Sequence, residues 1–223
     1  MADCPQIAGL IVLQNHASAL ITRALGLIAL GARRIGVTLL KNIVGTSARR
    51  RAQIYAAARK PIFYLDTINC STVVDLVKKE NIDLLINART RFIYRDPILT
   101  APRLGCINVH HGLLPEQRGT MCDLWALADG QPAGFTIHRM TKRVDDGAIV
   151  RRVQLSNGEE RDYMAYLRQA AQREAIELRS LLDEIAHTGG INTSDNSSTM
   201  PVVMRHDPTP QQLRAMQKAG LRL

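Results

Sequence analysis

The chain has 223 residues, of which 46% are apolar, and a formal charge of +9. This length sets one domain, or one domain with a tail. The charge points to an anionic partner or to solubility alone and carries no information about the fold.

Ile7 to Leu13 is a short apolar run rich in branched side chains and is expected to form a buried strand. Asn15, His16 and Ser18 break it. A helix apolar on most of its surface is expected from Ala17 to Ala32. Ile35 to Leu40 reads as a second buried strand. A helix follows from Ser47, a candidate N-cap, to Arg59, and Pro61 stops it. Ile62 to Leu65 is the third strand, Ser71 to Glu80 a helix, and Ile82 to Asn87 the fourth strand. Asp96 and Pro97 read as the N-cap and first position of a short helix. Ile107 to His110 is strand five. Asp162 to His187 carries an apolar stripe (Leu167, Ala171, Leu178, Leu181, Leu182, Ile185) at helical spacing, and Gly189 and Gly190 end it. Residues 191–200 are polar and read as a loop or mobile linker. Thr209, Pro210 and Gln212 form a capping-box pattern for a last helix running to Ala219.

The alternation of strands and helices predicts a Rossmann-like α/β fold: a mostly parallel sheet with helices on both faces, followed by a long C-terminal helix. One catalytic domain over residues 1–190 is expected, with a linker and short helix over 191–223. Ligands of such sheets bind beyond the carboxyl ends of the strands. That rule places Asn15 and His16, the stretch from Arg89 to Tyr94, and Asn108 to Gly112 near one another. No G-x-G-x-x-G follows the first strand and no G-x-x-x-x-G-K-[ST] is present, so NAD and ATP are poor candidates.

Cys4, Cys70, Cys106 and Cys122 have no C-x-x-C spacing, so a zinc site is not expected and free thiols are. Asp3 precedes the first apolar run and no Lys or Arg leads it, unlike a secretory signal. Residues 4–22 are too polar for a membrane span. The expectation is a cytoplasmic protein with no membrane partner. Nucleic acid is not expected as a partner either, because basic residues are not interleaved with aromatics.

The chemistry concentrates between Gly105 and Val150. Asn108 and His110 lie two apart and share one face of a strand. An amide NH₂ beside an imidazole suits acyl chemistry, with donors for an oxyanion and a group to handle a proton. Asp145 lies in Val-Asp-Asp-Gly and could orient the ring. The same residues could equally be a strand-end Asn, a satisfied half-buried His and the start of a turn at Gly147.

The combination Asn108-Val-His-x-x-Leu-Leu-Pro-x-x-Arg-Gly119, Gly134-Phe-Thr-Ile-His138 and Asp145-x-Gly-x-Ile149 resembles the catalytic core of the folate-dependent formyltransferases. The resemblance covers residues 82–153 well and the first 80 residues only by strand order. It implies formyl transfer from 10-formyltetrahydrofolate to a primary amine, without a metal. On it, Asn108, His110 and Asp145 are the catalytic set, and protonated His110 and Asn108 stabilise the oxyanion. It also implies a folate groove with Arg91, Phe92 and Ile93 on one wall and Met140, Thr141, Lys142, Arg143 and Val144 on the other. Lys142 and Arg143 would meet the glutamate carboxylates or be solvated. His138 matches a core-strand position and is taken as structural. Asp146 and His111 fill variable slots, with His111 turned to the other face.

The acceptor implied is a small-molecule amine, with an anionic amino-sugar nucleotide as the leading candidate. Gln14 to Ser18 lacks the glycines of the glycinamide ribonucleotide enzyme's phosphate loop. The 33 residues after 190 are too few for the methionyl-tRNA enzyme's extra barrel. Those two activities, and hydrolysis of the same donor, are the alternatives. Arg49, Arg50 and Arg51 are read in the first turn of a helix, where an anionic diphosphate would offset unfavourable cations, or as solvated charges.

Overall fold

The computed structural model describes residues 1–14, 17–43, 46–90, 92–199 and 202–223. Asn15, His16 and Arg91, three of the residues singled out above, lie outside the described residues. In chain order the elements are β1 (Leu10–Leu13), α1 (Ala17–Ala29), α2 (Arg33–Ile43), α3 (Thr46–Ala57), β2 (Ile62–Leu65), α4 (Ser71–Lys79) and β3 (Leu85–Ala88). After a short 3-10 turn (Ile98–Thr100) come β4 (Cys106–His110), β5 (Gln117–Gly119), α5 (Cys122–Ala128), β6 (Ala133–Arg139) and β7 (Ile149–Ser156). The chain closes with α6 (Tyr163–Thr188), β8 (Val203–Arg205) and α7 (Pro210–Lys218). The α/β class and the long C-terminal helix agree with the expectation.

The chain divides into two compact units. The first holds residues 1–66, 161–168 and 208–223. In it β1 and β2 pair in parallel, Leu10 opposite Ile62 through Leu13 opposite Leu65. The expected strand at Ile35–Leu40 is instead the middle of helix α2. Its branched, apolar composition looked like a strand, but its exposed positions follow a helical period: Arg33, Val37 and Lys41 are exposed, while Ile35, Leu39 and Leu40 are partly covered and Gly36 is buried. The terminal helix is capped as its sequence promised. The Thr209 side chain accepts from the Gln212 N–H and the Gln212 side chain accepts from the Thr209 N–H.

The second unit holds residues 67–160 and 169–207. Its four-stranded sheet has the order β3-β4-β6-β7. β3 and β4 are parallel, with Asn87 opposite Asn108. β4 and β6 are antiparallel, with Asn108 opposite His138 and His110 opposite Thr136, and β7 continues antiparallel to β6. A separate parallel pair joins β5 to β8. Ile107, Phe135, Ile137, Leu113, Leu114, Leu124, Leu127 and Leu181 are fully buried and form its core.

Three smaller expectations are corrected. Pro97, not Asp96, is the N-cap of the 3-10 turn. Helix α3 is already formed at Thr46, so Ser47 lies inside it and Arg50 and Arg51 fall beyond its first turn. Arg51 turns inward, with its Nε buried and its charge beside Tyr55, whose phenol burial pushes up in pKa while Arg51 pulls it back. The polar stretch after Gly190 is tied at two points instead of unattached: Ser194 bridges to Ile149, and Asn196 is 7% exposed.

Candidate active site

β4 sits between two partner strands, and this arrangement places the amide and the imidazole. Asn108 is partly exposed and His110 is buried on the same strand. Because Asn108 and His138 are directly opposed across an antiparallel pair, their side chains lie side by side on one face. Asn108 Nδ2 is 3.1 Å from His138 Nε2, and His138 Nδ1 is 2.8 Å from the Arg139 carbonyl. The carbonyl needs a donor, so the proton sits on Nδ1 and Nε2 accepts from the Asn108 amide. Burial lowers the pKa of His138, and the neighbouring His110 pushes in the same direction. The ring is held neutral. His138 is thus the residue that the sequence assigned to packing and the structure brings to the amide. Its signal was the strand register, which a sequence does not state.

Asp145 reaches the same place from the loop after β6. One carboxylate oxygen, Oδ1, is 3.5 Å from His110 Nδ1 and 3.6 Å from His138 Nε2. The other, Oδ2, accepts the Gly119 N–H at 3.0 Å. His110 Nε2 lies 2.7 Å from the Gln117 carbonyl. Both His110 nitrogens therefore face oxygens, an arrangement that a ring with a proton on each nitrogen satisfies. Asn108, His110 and Asp145 are brought together, with His138 as the fourth member.

The two halves of the sequence motif are tied by named bonds. Arg118 gives Nη1 to Asp146 at 2.9 Å, Nη2 to the Asn196 carbonyl at 3.0 Å and Nε to the Pro115 carbonyl at 3.3 Å. Asn196 in turn gives its amide to the carbonyls of Asp145 and Gly147 at 3.1 and 2.9 Å. Asp145 has a left-handed backbone with φ of 54°, uncommon outside glycine, and these contacts hold it there. Gly147 is required by close approach: a Cβ would stand 2.0 Å from the Arg139 carbonyl oxygen. No sequence pattern pointed to Asn196, which lies some fifty residues from its partners.

Residues assigned to the folate groove fall on two loops. Asn69 fixes the first, giving Nδ2 to the Ile93 carbonyl and accepting from the Arg95 N–H, both at 2.8 Å. Lys142 on the second loop pairs with Asp96 on the first at 2.7 Å, so the loops meet. Phe92 and Met140 are half-buried, while Ile93 and Val144 expose apolar side chains. Thr141 closes its own turn by donating its hydroxyl to the Arg143 carbonyl. Arg143 pairs with Asp146 at 2.9 Å. Lys142 and Arg143 each pair with a carboxylate of the protein while their side chains stay 79% and 84% exposed.

Directly after β4, His111 joins Asp123 at 2.9 Å through Nδ1 and Glu174 at 2.7 Å through Nε2, whose N–H points off the direct line. Arg89 grips the same Glu174 through Nη2 and Nε at 3.0 and 3.3 Å. Burial alone would lower the His111 pKa, but the hydrogen bond to Asp123 and the Glu174 carboxylate beside Nε2 outweigh it and hold it up at about 9. Burial pushes the Cys106 and Cys122 thiols up to about 12, so neither is a nucleophile near neutral pH. Among the described residues no group of His, Cys, Asp and Glu has a metal-holding arrangement, and no helix is long and apolar enough to cross a membrane.

Comparison with known proteins gives relatives in sequence and in structure. The chain is 38% identical over 91 residues to the bifunctional polymyxin resistance protein ArnA of Wigglesworthia glossinidia brevipalpis, and 39% identical over 90 residues to the methionyl-tRNA formyltransferase of Blochmanniella pennsylvanica. Each stretch is 40% of this chain but spans only 14% and 28% of those relatives. In structure it is similar to a sugar N-formyltransferase from a Shewanella species, with a TM-score of 0.56, 17% identity, and 94% and 86% of the two chains covered. It is also similar to the formyltransferase PseJ of Anoxybacillus kamchatkensis, solved with UDP-4,6-dideoxy-4-formamido-L-AltNAc and tetrahydrofolate. There the TM-score is 0.51 at 20% identity, covering 66% and 76%. At such identities the structural likeness speaks to the fold. The family model described as formyl transferase matches residues 37–178, which is more than half of the chain and contains Asn108, His110, His138 and Asp145, and the chain belongs to that family.

Proposed function

We propose that this chain is an N-formyltransferase that moves a formyl group from 10-formyltetrahydrofolate to the primary amine of a small molecule. An amino-sugar nucleotide is the acceptor class favoured. The observation that carries the reading is the cluster in which Asp145 Oδ1 stands 3.5 Å from His110 and 3.6 Å from His138, while His138 holds the Asn108 amide.

The donor's pterin needs an apolar, partly open surface, and the loops carrying Ile93 and Val144, 58% and 52% exposed, offer one beside Phe92 and Met140. When bound, the donor supplies an electrophilic formyl carbon. Asn108 has two amide protons. His138 takes one, and the other is free to meet the negative charge that develops on the formyl oxygen. The His110 Nε2–H, which rests on the Gln117 carbonyl, exchanges that acceptor for the same oxygen. Asp145 keeps Nδ1 of His110 in place and takes up the proton released by the attacking amine, directly or through water. The new bond joins the amine nitrogen to the formyl carbon, the bond from that carbon to the donor nitrogen would break, and the proton taken up by Asp145 would pass to the departing nitrogen, so a formamide and tetrahydrofolate leave and atoms and charge balance.

The expected outcome with 10-formyltetrahydrofolate and a panel of amines is formylation of an amino-sugar nucleotide, read by mass spectrometry. Asn108→Ala should lower the rate on the order of 10²- to 10³-fold, as loss of an oxyanion donor does elsewhere. Formate release at the same rate with and without amine would mean a hydrolase instead. Formylation of methionyl-tRNA alone would move the acceptor to the class of the second relative named above.

A further inference from the structure

We propose that the groove between α2 and the first turns of α6 binds the diphosphate of a nucleoside diphosphate. This site lies wholly in the first unit and does not depend on the formyl-transfer reading.

The groove is an open cavity of about 310 Å³, lined by Arg33, Arg34, Val37, Thr38, Lys41, Met164 and Arg168. Small-molecule sites start at roughly 300 Å³. Four of its seven lining residues are cations, and no acid lines it. Arg34 is already neutralised: its Nη1 donates to Asp162 Oδ2 at 2.8 Å, and that contact holds the Asp162 carboxyl below its ordinary range, so it stays ionised. Among the described residues no carboxylate pairs with Arg33, Lys41 or Arg168, so three positive charges face the groove without a counter-charge. A nucleoside diphosphate carries about three negative charges near neutral pH.

The shape fits the same ligand. Arg33, Val37 and Lys41 recur at every fourth residue along α2, a row of roughly 12 Å at the helical rise. A diphosphate has room between the cations, and Val37 and Met164 offer an apolar strip for the nucleoside. Thr38 gives its hydroxyl to the Arg34 carbonyl and is not counted as a donor to the ligand. The first turn of α2 carries Arg33 and Arg34 and no acid, which sets cations at the positive end of the helix, an imbalance that a bound anion relieves. An RNA strand fits less well, because no aromatic side chain lines the groove for a base to stack on.

The test is calorimetric titration of the full chain with ADP, UDP, pyrophosphate, adenosine and triglutamate, joined to hydrogen exchange with and without ADP. Saturable binding of ADP or UDP is expected, with adenosine silent and slower exchange confined to residues 33–41 and 161–168. Pyrophosphate binding as tight as ADP would assign the site to free diphosphate and overturn the nucleoside part. Arg33→Ala with Lys41→Ala, and separately Arg168→Gln, should each weaken ADP by about tenfold or more, and all three side chains are exposed, so the fold should survive. Unchanged affinity in these variants, protection elsewhere in the chain, equal affinity for triglutamate, or tighter binding of a short RNA would each overturn the proposal. The exchange measurement uses the unaltered protein and decides the matter even if a variant does not fold.

Discussion

The adjacent histidines His110 and His111, and His138 opposite Asn108, are given three different jobs by their neighbours. His110 faces Asp145, His111 stands between the two acids Asp123 and Glu174, and His138 is kept neutral by burial. A neutral His138 can accept from Asn108; a charged one could only donate, and the amide would turn its oxygen inward. His138→Leu should therefore lower kcat while leaving the KM for the formyl donor near its value, because the amide loses its orientation but the groove is untouched. His138→Gln, whose side-chain oxygen can accept, should recover part of the rate. A KM rise with kcat unchanged in both would place His138 in binding and not in positioning. His111 makes a stability prediction. Its folded pKa of about 9 lies above the unfolded value near 6.5, so its contribution is complete below pH 6.5 and is lost as the pH rises towards 9. The upper bound is on the order of 3 kcal/mol. Urea midpoints at pH 6 and pH 9 should differ clearly for the natural chain and much less for His111→Gln. Equal slopes would mean that the Asp123–His111–Glu174 cluster does not titrate in this range.

Between elements, what matters is which loop is tied to which. The segment after α6 reads as polar and unstructured, yet Asn196 holds the carbonyls on both sides of Asp146, and Arg118 closes the ring through the Asn196 carbonyl. Asn196→Ala leaves two buried carbonyls without donors and should cost about 1–3 kcal/mol. It should also slow formyl transfer by letting Asp145 leave its left-handed backbone conformation. Denaturant melts and steady-state kinetics on one preparation would check both; loss of stability with full activity would separate Asn196 from the site. These ties explain what the sequence could and could not tell. That Asn108, His110 and Asp145 come together was legible, the first two from the strand period and Asp145 from the resemblance of the motif. Asn196 and His138 were not: one depends on a long-range contact and the other on strand register, and neither leaves a local pattern. α2 was misread for a related reason. Four apolar residues, Ile35 and Val37 branched among them, look like a strand until the exposed cations at Arg33, Arg34 and Lys41 are put on a helical wheel. In the Gly105–Val150 stretch pattern and packing agree. In the first unit they compete.

Across the whole chain, the net charge is not spread evenly. The first unit holds 14 of the 29 Lys and Arg but only 3 of the 20 Asp and Glu, a net of +11, while the second, with 15 and 17, carries −2. The +9 that the composition reports is thus the property of one unit, and the unit with the Asn108–Asp145 cluster is close to neutral. Charges of one sign reinforce each other's field within a screening length of about 10 Å at 0.1 M salt, whereas mixed charges cancel. Removing two cations from each unit should therefore have unequal effects. Arg49→Gln with Arg50→Gln, both exposed on α3, should elute from a cation exchanger at clearly lower salt than the natural chain at pH 8. Lys78→Gln with Lys79→Gln, where Lys79 stands 3.8 Å from Glu80 in the near-neutral unit, removes the same formal charge and should shift elution less. Equal shifts would show that the resin reads net charge alone and that the first unit presents no concentrated field. Unequal ones would mean that an anion approaching this protein is drawn to the first unit before it meets the second.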